Sequence, residues 1–222
     1  MNYPVTIVDD FFLDPNAIRD FALSLDYPMV GSHYPGKRSN FLHEVDFKFF
    51  NYFGNKIFSL FGTPPLQWGM NVNFQKIEPY AEDKWDRKNR GWIHKDNQST
   101  KNIEGSIFGG IVYLNPNPDP DTGTSIYKLK SSFNKESKNA FILRESHFRN
   151  KDVDCDEYKK YYDEYHQQFI ETIKVSNLYN RLLLVGSDVP HTSPSFGTED
   201  RYTLNFFATS ISATVKPPLQ RY

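Results

Sequence analysis

Up to Phe61 the apolar residues recur mainly at helical spacing, and from Trp68 the period drops to two. After a short strand at Val5-Thr6-Ile7-Val8, Asp14-Pro15 supplies a helix N-cap followed by proline at the first helical position. Ile18, Phe21, Ala22 and Leu25 then fall on one stripe, which predicts a helix laid on a core. A second helix is expected from Asp46 to Phe61. Phe49, Phe50, Phe53, Ile57, Leu60 and Phe61 share its stripe, and Gly62 suits the position just past its end. Between the two helices, Tyr34-Pro35-Gly36-Lys37-Arg38 reads as a charged turn, either a plain surface loop or a rim that offers Arg38 to an anionic group.

Beyond this point Trp68, Met70, Val72 and Phe74 alternate with Gly69, Asn71, Asn73 and Gln75, a strand with one apolar face and three carboxamides on the other. That polar face lies either in water, as in a sheet with one wet side, or toward the ligand cavity of a barrel. A charged loop from Glu82 to Arg90 is expected before a strand end at Trp92-Ile93-His94-Lys95-Asp96-Asn97. The β-rich run Phe108 to Leu114 stops at the turn-rich Asn115 to Asp121, and Thr122 to Tyr127 resumes the sheet. From Lys128 to about Lys174 charge is dense, Asp154 and Glu157 resemble a capping pair, and Tyr158, Tyr161, Tyr165, Phe169 and Ile173 keep a helical stripe. Residues 128–176 are therefore expected to be a helical insertion, placed where it could cap a barrel mouth as a lid. Arg181 to Ser187 and Arg201 to Thr209 read as the last strands, and Pro217-Pro218 ends regular structure.

Helices followed by about eight strands with one insertion predict a mainly β, α+β domain built as a two-sheet jelly roll, or cupin-like double-stranded β-helix. The expected layout is one domain over 1–222: helical support at 1–67, the jelly-roll core at 68–127 and 181–209, and the insertion.

Composition narrows the function classes. With 26 Lys and Arg against 27 Asp and Glu, the formal charge of −1 advertises neither nucleic acid nor an acidic membrane surface, so the partners of the expected monomer or homodimer have to be read from local features, and the mixed charge and tyrosines of the insertion suit a peptide or another small polar molecule equally well. Aromatics at 16% suit sheets, pockets and thick cores rather than coiled coils or disorder. The single Cys155 excludes an internal disulfide; with polar Asp9-Asp10 in place of a leader and apolar runs such as Leu182 to Val185 too short to span a bilayer, a cytoplasmic protein is expected.

The candidate chemistry lies in the His94 to Asp96 segment. On a strand, His94 and Asp96 point to the same side, and His191 follows a second apolar strand 97 residues downstream. Two histidines and one carboxylate form the facial triad of non-haem Fe(II) oxygenases, whereas His-x-Asp alone is just as well a solvated loop or a hydrogen-bonded pair. Such a triad leaves a +1 centre that favours an anionic co-substrate, and a dicarboxylic acid held at one end inside a barrel needs a cation at the other. Arg201, ten residues after His191, offers a planar fork for that carboxylate, with Thr203 two residues on along the same strand. Structural zinc is disfavoured by the single cysteine. The other readings are an ordinary surface arginine at 201, a core tyrosine at Tyr113, and packing rather than substrate stacking for Trp92. His33, His43, His147 and His166 lack a carboxylate at strand spacing and read as surface or packing residues.

The order His94-Lys95-Asp96-Asn97, Tyr113-Leu114-Asn115, Thr122-Gly123-Thr124, His191, Arg201 resembles the Fe(II)/2-oxoglutarate-dependent oxygenases, in particular their prolyl 4-hydroxylase-like branch, over residues 68–127 and 181–209. The resemblance implies that His94, Asp96 and His191 ligate iron and that Arg201 grips the distal carboxylate of 2-oxoglutarate. Thr203 or Tyr113 would support that carboxylate, and Asn73, or else Asn71 or Gln75, would meet the co-substrate or substrate. It also implies Fe(II), 2-oxoglutarate and O2, ascorbate as a support in vitro, and hydroxylation of an amino acid, peptide or other small polar molecule with release of succinate and CO2. The retained Asp96 points away from halogenation. Two other classes stay open: a cupin-like metal enzyme that uses no 2-oxo acid, and a non-catalytic jelly-roll binding module.

Overall fold

Asp14 caps the first helix as predicted: its carboxylate accepts from Ala17 N at 3.0 Å, with Pro15 opening α1 (Pro15–Ser24). Asp46 does the same for α3 (Phe47–Ser59), accepting from Phe49 N at 2.9 Å, and a short α2 (Leu42–Val45) precedes it. The computed structural model describes residues 5–31, 34–61, 67–79, 89–96, 107–131, 138–148 and 153–212. His33, Gly62, most of the 82–90 loop, Asn97, the side chain of His147 and the Pro217-Pro218 tail lie outside the described residues.

The strands are β1 (Thr6–Val8), β2 (Met29–Val30), β3 (Lys37–Arg38), β4 (Gln67–Ile77), β5 (Phe108–Tyr113), β6 (Thr124–Leu129), β7 (Phe169–Val175), β8 (Leu182–Gly186), β9 (His191–Thr192) and β10 (Arg201–Ser212). Seven form one sheet in the order β1-β8-β5-β10-β4-β3-β2, and three form a second in the order β7-β6-β9, with antiparallel pairing throughout. The result is a mostly antiparallel α+β fold.

Period-two alternation splits the large sheet into two chemically different faces. Met70, Val72 and Phe74 of β4, Phe108 and Val112 of β5, Leu182 and Leu184 of β8, and Leu204 and Phe206 of β10 pack with Phe50, Phe53 and Ile57 of α3 and with Ala22 of α1. Burial of these side chains against the helices is the main source of stability, each contributing about 1.5–3 kcal/mol. The opposite face looks toward the small sheet. Its apolar part joins Tyr113, Leu183 and Val185 to Ile126 and Val175. Asn73, Gln75, Thr203 and Asn205 also lie on this side and are all buried, so the carboxamides of β4 face the interior between the sheets rather than bulk water.

The insertion differs in part from the expected helical stripe. α4 (Lys138–Phe148) and α5 (Cys155–His166) are helices, with Asp154 capping α5 through Glu157 N at 2.8 Å. The stripe nevertheless stops at Tyr165, because Phe169 and Ile173 belong to β7, which pairs along β6. Phe169–Val175 is rich in β-branched residues, and a seven-residue edge strand satisfies its backbone better than an extension of the helix past Gln167. No helix among the described residues is long and apolar enough to cross a membrane.

Candidate metal centre

His94 and His191 belong to segments far apart in the chain that exchange a reciprocal pair of backbone hydrogen bonds. His94 N donates to His191 O at 3.1 Å, and His191 N donates to His94 O at 3.0 Å. On either side, Gly91 N reaches Ser193 O and Asp96 N reaches Ser187 O, both at 2.8 Å. The predicted strand end at Trp92 to Asn97 is thus only an isolated bridge at His94. It still achieves what a strand would have done, placing the His94 ring 4.6 Å from the His191 ring. His191 in turn is held by β9 against Ile126 of β6.

The Asp96 carboxylate lies between the rings, with Oδ1 3.6 Å from His94 Nε2 and Oδ2 3.7 Å from His191 Nε2. One ligand atom from each of His94, Asp96 and His191 can be chosen so that all lie within 4.8 Å of one another. His94 Nδ1 is 2.8 Å from Trp92 O, and His191 Nδ1 is 2.9 Å from Val189 O. A carbonyl can only accept, so both rings carry their proton on Nδ1 and turn an Nε2 lone pair to the centre. Desolvation by the surrounding protein, on a ring that is still partly exposed, pushes the His94 imidazole down to about 4; neighbouring His191 and, more weakly, Arg144 act in the same direction, while Asp96 opposes them. His94 is therefore neutral at physiological pH, the form that binds a metal. Its side chain is 43% exposed, against 14% for His191 and 9% for Asp96, which puts the open side of the site at His94. Two neutral imidazoles and a carboxylate suit a divalent transition metal such as Fe(II).

Gly109 of β5 is a component that sequence reasoning passed over. A Cβ there would come within 3.0 Å of Asp96 Oδ2, so the glycine makes room for the carboxylate. A glycine inside a β run marks close approach of another group, and the Gly109-Gly110 pair carried that signal.

Arg201 opens β10, is only 6% exposed, and donates from Nε to Thr122 O at 2.9 Å. It is not a surface arginine. Its Cζ sits 5.5 Å from the Tyr113 ring centroid; burial pulls its pKa down with Tyr113 opposing, and among the described residues no carboxylate forms an ion pair with it. Tyr113 is fully buried and donates to Thr124 Oγ1 at 2.8 Å, and burial raises its phenol. Thr122 to Thr124 leads directly into β6, so the chain that contacts Arg201 and Tyr113 also supports His191.

Thr203 commits its hydroxyl proton elsewhere than to the anion site expected at Arg201. It donates to Asn205 Oδ1 at 2.8 Å, Asn205 Nδ2 donates to Gln75 Oε1, and Gln75 Nε2 donates to Pro35 O at 2.5 Å. Gln75 is thereby committed to a network that pins the turn before β3. Asn73, directly opposite Asn205, is 2% exposed, and its Oδ1 meets no partner among the described residues. Asn71, opposite Phe207, is half-buried.

Arg38 lies in β3 opposite Gln75, on the same interior face, rather than in an open turn. Gly36 makes the preceding bend with a φ of 70°. Burial pulls the Arg38 guanidinium down to about 10, with Tyr34 and Asp96 both favouring its charge.

Trp92 points away from the centre, 2% exposed, stacked on Tyr165 at 5.4 Å and edge-on to Tyr162 at 5.5 Å. It is packing, and through it α5 braces the backbone that carries His94. His166 also packs, 3.7 Å from Tyr162 between centroids, and its Nε2 accepts from Ile93 N at 3.2 Å. His43 stacks on Phe41 at 5.6 Å. Ile93 and Thr192, next to His94 and His191 respectively, help line a separate cleft of about 400 Å³ with Tyr127, Tyr162 and His166.

A family model described as a family of unknown function, DUF6445, matches residues 1–201. Comparison with curated protein sequences finds no match. Among solved structures, HygX from Streptomyces hygroscopicus with nickel and 2-oxoglutarate bound is 14% identical, with 97% of this chain and 85% of that one covered at a TM-score of 0.57. A 2OG-Fe(II) oxygenase family oxidoreductase from Burkholderia pseudomallei is 9% identical, covering 94% and 86% at 0.54. A prolyl hydroxylase from Trichoplax adhaerens, in complex with a hypoxia inducible factor peptide, is 13% identical, covering 92% and 83% at 0.51. At these identities the likeness is one of fold, and the fold shared is that of 2OG-Fe(II) oxygenases.

Proposed function

The chain belongs to the DUF6445 family, and we propose that it is an Fe(II)- and 2-oxoglutarate-dependent oxygenase with a jelly-roll core. The observation that carries this reading is the convergence of two Nδ1-anchored imidazoles and one carboxylate on a common point from segments 91–96 and 187–193. HygX, with a similar fold, has been seen with nickel and with 2-oxoglutarate, which supports the same use of the centre here.

In this reading His94, Asp96 and His191 hold Fe(II), and the iron, once bound, supplies oxidative decarboxylation of 2-oxoglutarate to succinate and CO2 coupled to hydroxylation of the substrate. The protein's part is positional. Arg201 binds the distal carboxylate of 2-oxoglutarate, since a buried guanidinium without an acidic partner among the described residues is stabilised by an anion. Tyr113 limits the rotation of that arginine by presenting its ring beside Cζ. Asn73 offers its unmatched carbonyl oxygen to a donor on co-substrate or substrate. Thr203, through Asn205 and Gln75, stiffens this wall rather than gripping the acid. The insertion of α4 and α5 packs behind Trp92 and Ile93, and in this reading it would serve as the lid. The substrate is a small polar molecule or peptide.

Anaerobic titration with Fe(II) and 2-oxoglutarate, followed by aerobic succinate measurement with ascorbate, tests the proposal. Wild type should develop the visible band of an Fe(II)–2-oxo acid complex and release succinate, and His191→Ala should do neither. Undiminished succinate release by His191→Ala would overturn the assignment.

A further inference from the structure

Arg201, which is buried, and Arg38, which is half-buried, both lie along the interior face of the large sheet. Arg38, Gln75, Thr203 and Tyr113 lie directly opposite one another across β3, β4, β10 and β5 and so form one transverse row. Three strand spacings separate the ends of that row, about 14 Å between backbones. Arg38 and Tyr113, the latter beside Arg201, therefore stand at opposite ends of the row.

The local surroundings of Arg38 are those of a recognition group. Its guanidinium lies 3.7 Å from the centroid of the Tyr34 ring, and the Phe207 ring centroid is 5.5 Å away on the interior face. Aromatic contact with the face of a guanidinium leaves its in-plane N–H groups for hydrogen bonding. Its Nε is buried and meets no acceptor among the described residues. The turn that presents it is fixed at Pro35 O by Gln75 and at Gly36 by the close approach of Lys76 O. Asp96 is near enough to influence Arg38, although no ion pair forms between them among the described residues. Lys37, its neighbour, turns away to Glu78 at 3.6 Å and so adds no second positive charge beside it.

We propose that Arg38 is a specificity-determining residue that binds a carboxylate of the substrate on the side of the metal centre opposite Arg201. This rests on the oxygenase reading. A monocarboxylate matches one guanidinium fork in charge and geometry, whereas a phosphate dianion calls for a second cation that Lys37 does not supply.

The test uses equilibrium dialysis read by mass spectrometry, with N-acetylated amino acids and dipeptides bearing a free C-terminal carboxylate as probes and their C-terminal amides as matched controls. Wild type should bind at least one acid about tenfold or more tightly than its amide. Arg38→Gln should bring that ratio close to one, and Arg38→Lys should keep part of it, with melting curves establishing that both variants fold. Equal binding of acid and amide by wild type, an acid preference that survives in Arg38→Gln, or no binding by any pair would each overturn the proposal. Dialysis of metal-free protein, run beside the Fe(II)- and 2-oxoglutarate-loaded form, tests Arg38 even if the visible band fails to develop and the oxygenase reading falls.

Discussion

Gly109→Ala should weaken metal binding while leaving the fold nearly intact. The added Cβ would stand 3.0 Å from Asp96 Oδ2, 3.0 Å from Phe207 Cδ1 and 3.2 Å from Phe206 O, where ordinary contact begins near 3.4 Å. The Phe206 carbonyl belongs to a ladder strand and moves least, and the Phe207 ring can swing. The carboxylate must therefore give by about 0.4 Å, close to the ~0.5 Å within which a functional constellation has to be held. Losses of about 10–100-fold in metal affinity are typical when the support of a ligand is disturbed, and that is the range expected here. The cost to stability should stay near 1 kcal/mol, or about 2–4 °C in Tm. Competition with a chromophoric chelator for Co(II) or anaerobic Fe(II), beside a melting curve, measures both. The adjacent Gly110→Ala is the control: its Cβ would strike Leu183 O and sit 2.6 Å from Phe206 Cζ, so it should destabilise the sheet by about 1–3 kcal/mol or more. Metal affinity within about twofold of wild type in a folded Gly109→Ala protein would refute the idea that this glycine seats Asp96.

Other expectations can be checked with the same preparations. Arg201→Ala should lower 2-oxoglutarate affinity by about 100-fold in the anaerobic titration, since two charged hydrogen bonds are lost, and should change metal affinity by no more than a few-fold; Lys should rescue little because it lacks the planar fork. Asn180→Ala should cost about 2–4 kcal/mol in urea unfolding. Asn180 has a φ of 63°, and its buried side chain accepts from Phe12 N and donates to Phe12 O, each at 2.8 Å. Asn180→Gly should lose less than the alanine variant, because glycine tolerates that φ.

Much of this was legible in the residues, for identifiable reasons. The cap at Asp14 and the start of the next long helix near Asp46 are local, and local chemistry decides them. The alternation from Trp68 to Gln75 identified two faces but left open which medium the carboxamides meet, because the interior of a polar cavity and a wet surface select the same side chains. The helical stripe ran on into Phe169 and Ile173 because Tyr165, Phe169 and Ile173 are each four apart and no glycine or proline stands between. The β-branched residues of Phe169–Val175 were the competing signal. His94, Asp96 and His191 were readable as a set because their residue types have few other reasons to occur in that order. Gly109 and Arg38 were not, since their value depends on strands paired across long separations in the chain: Gly109 lies beneath Asp96, and Arg38 pairs with Gln75.

The bridge between His94 and His191 also bears on how the molecule stays folded. Together with the Gly91–Ser193 and Asp96–Ser187 backbone hydrogen bonds beside it, that bridge closes a stretch of chain that includes β5, β6, α4, α5, β7 and β8. A metal held by His94, Asp96 and His191 would tie both ends of that stretch at once, and so would act as a removable clasp. Its removal by a chelator should loosen the pairing of β9 with β6 before it touches the helix-backed core. By mass action, metal at 100 times its dissociation constant would add about 2.7 kcal/mol to the resistance of the whole chain to unfolding.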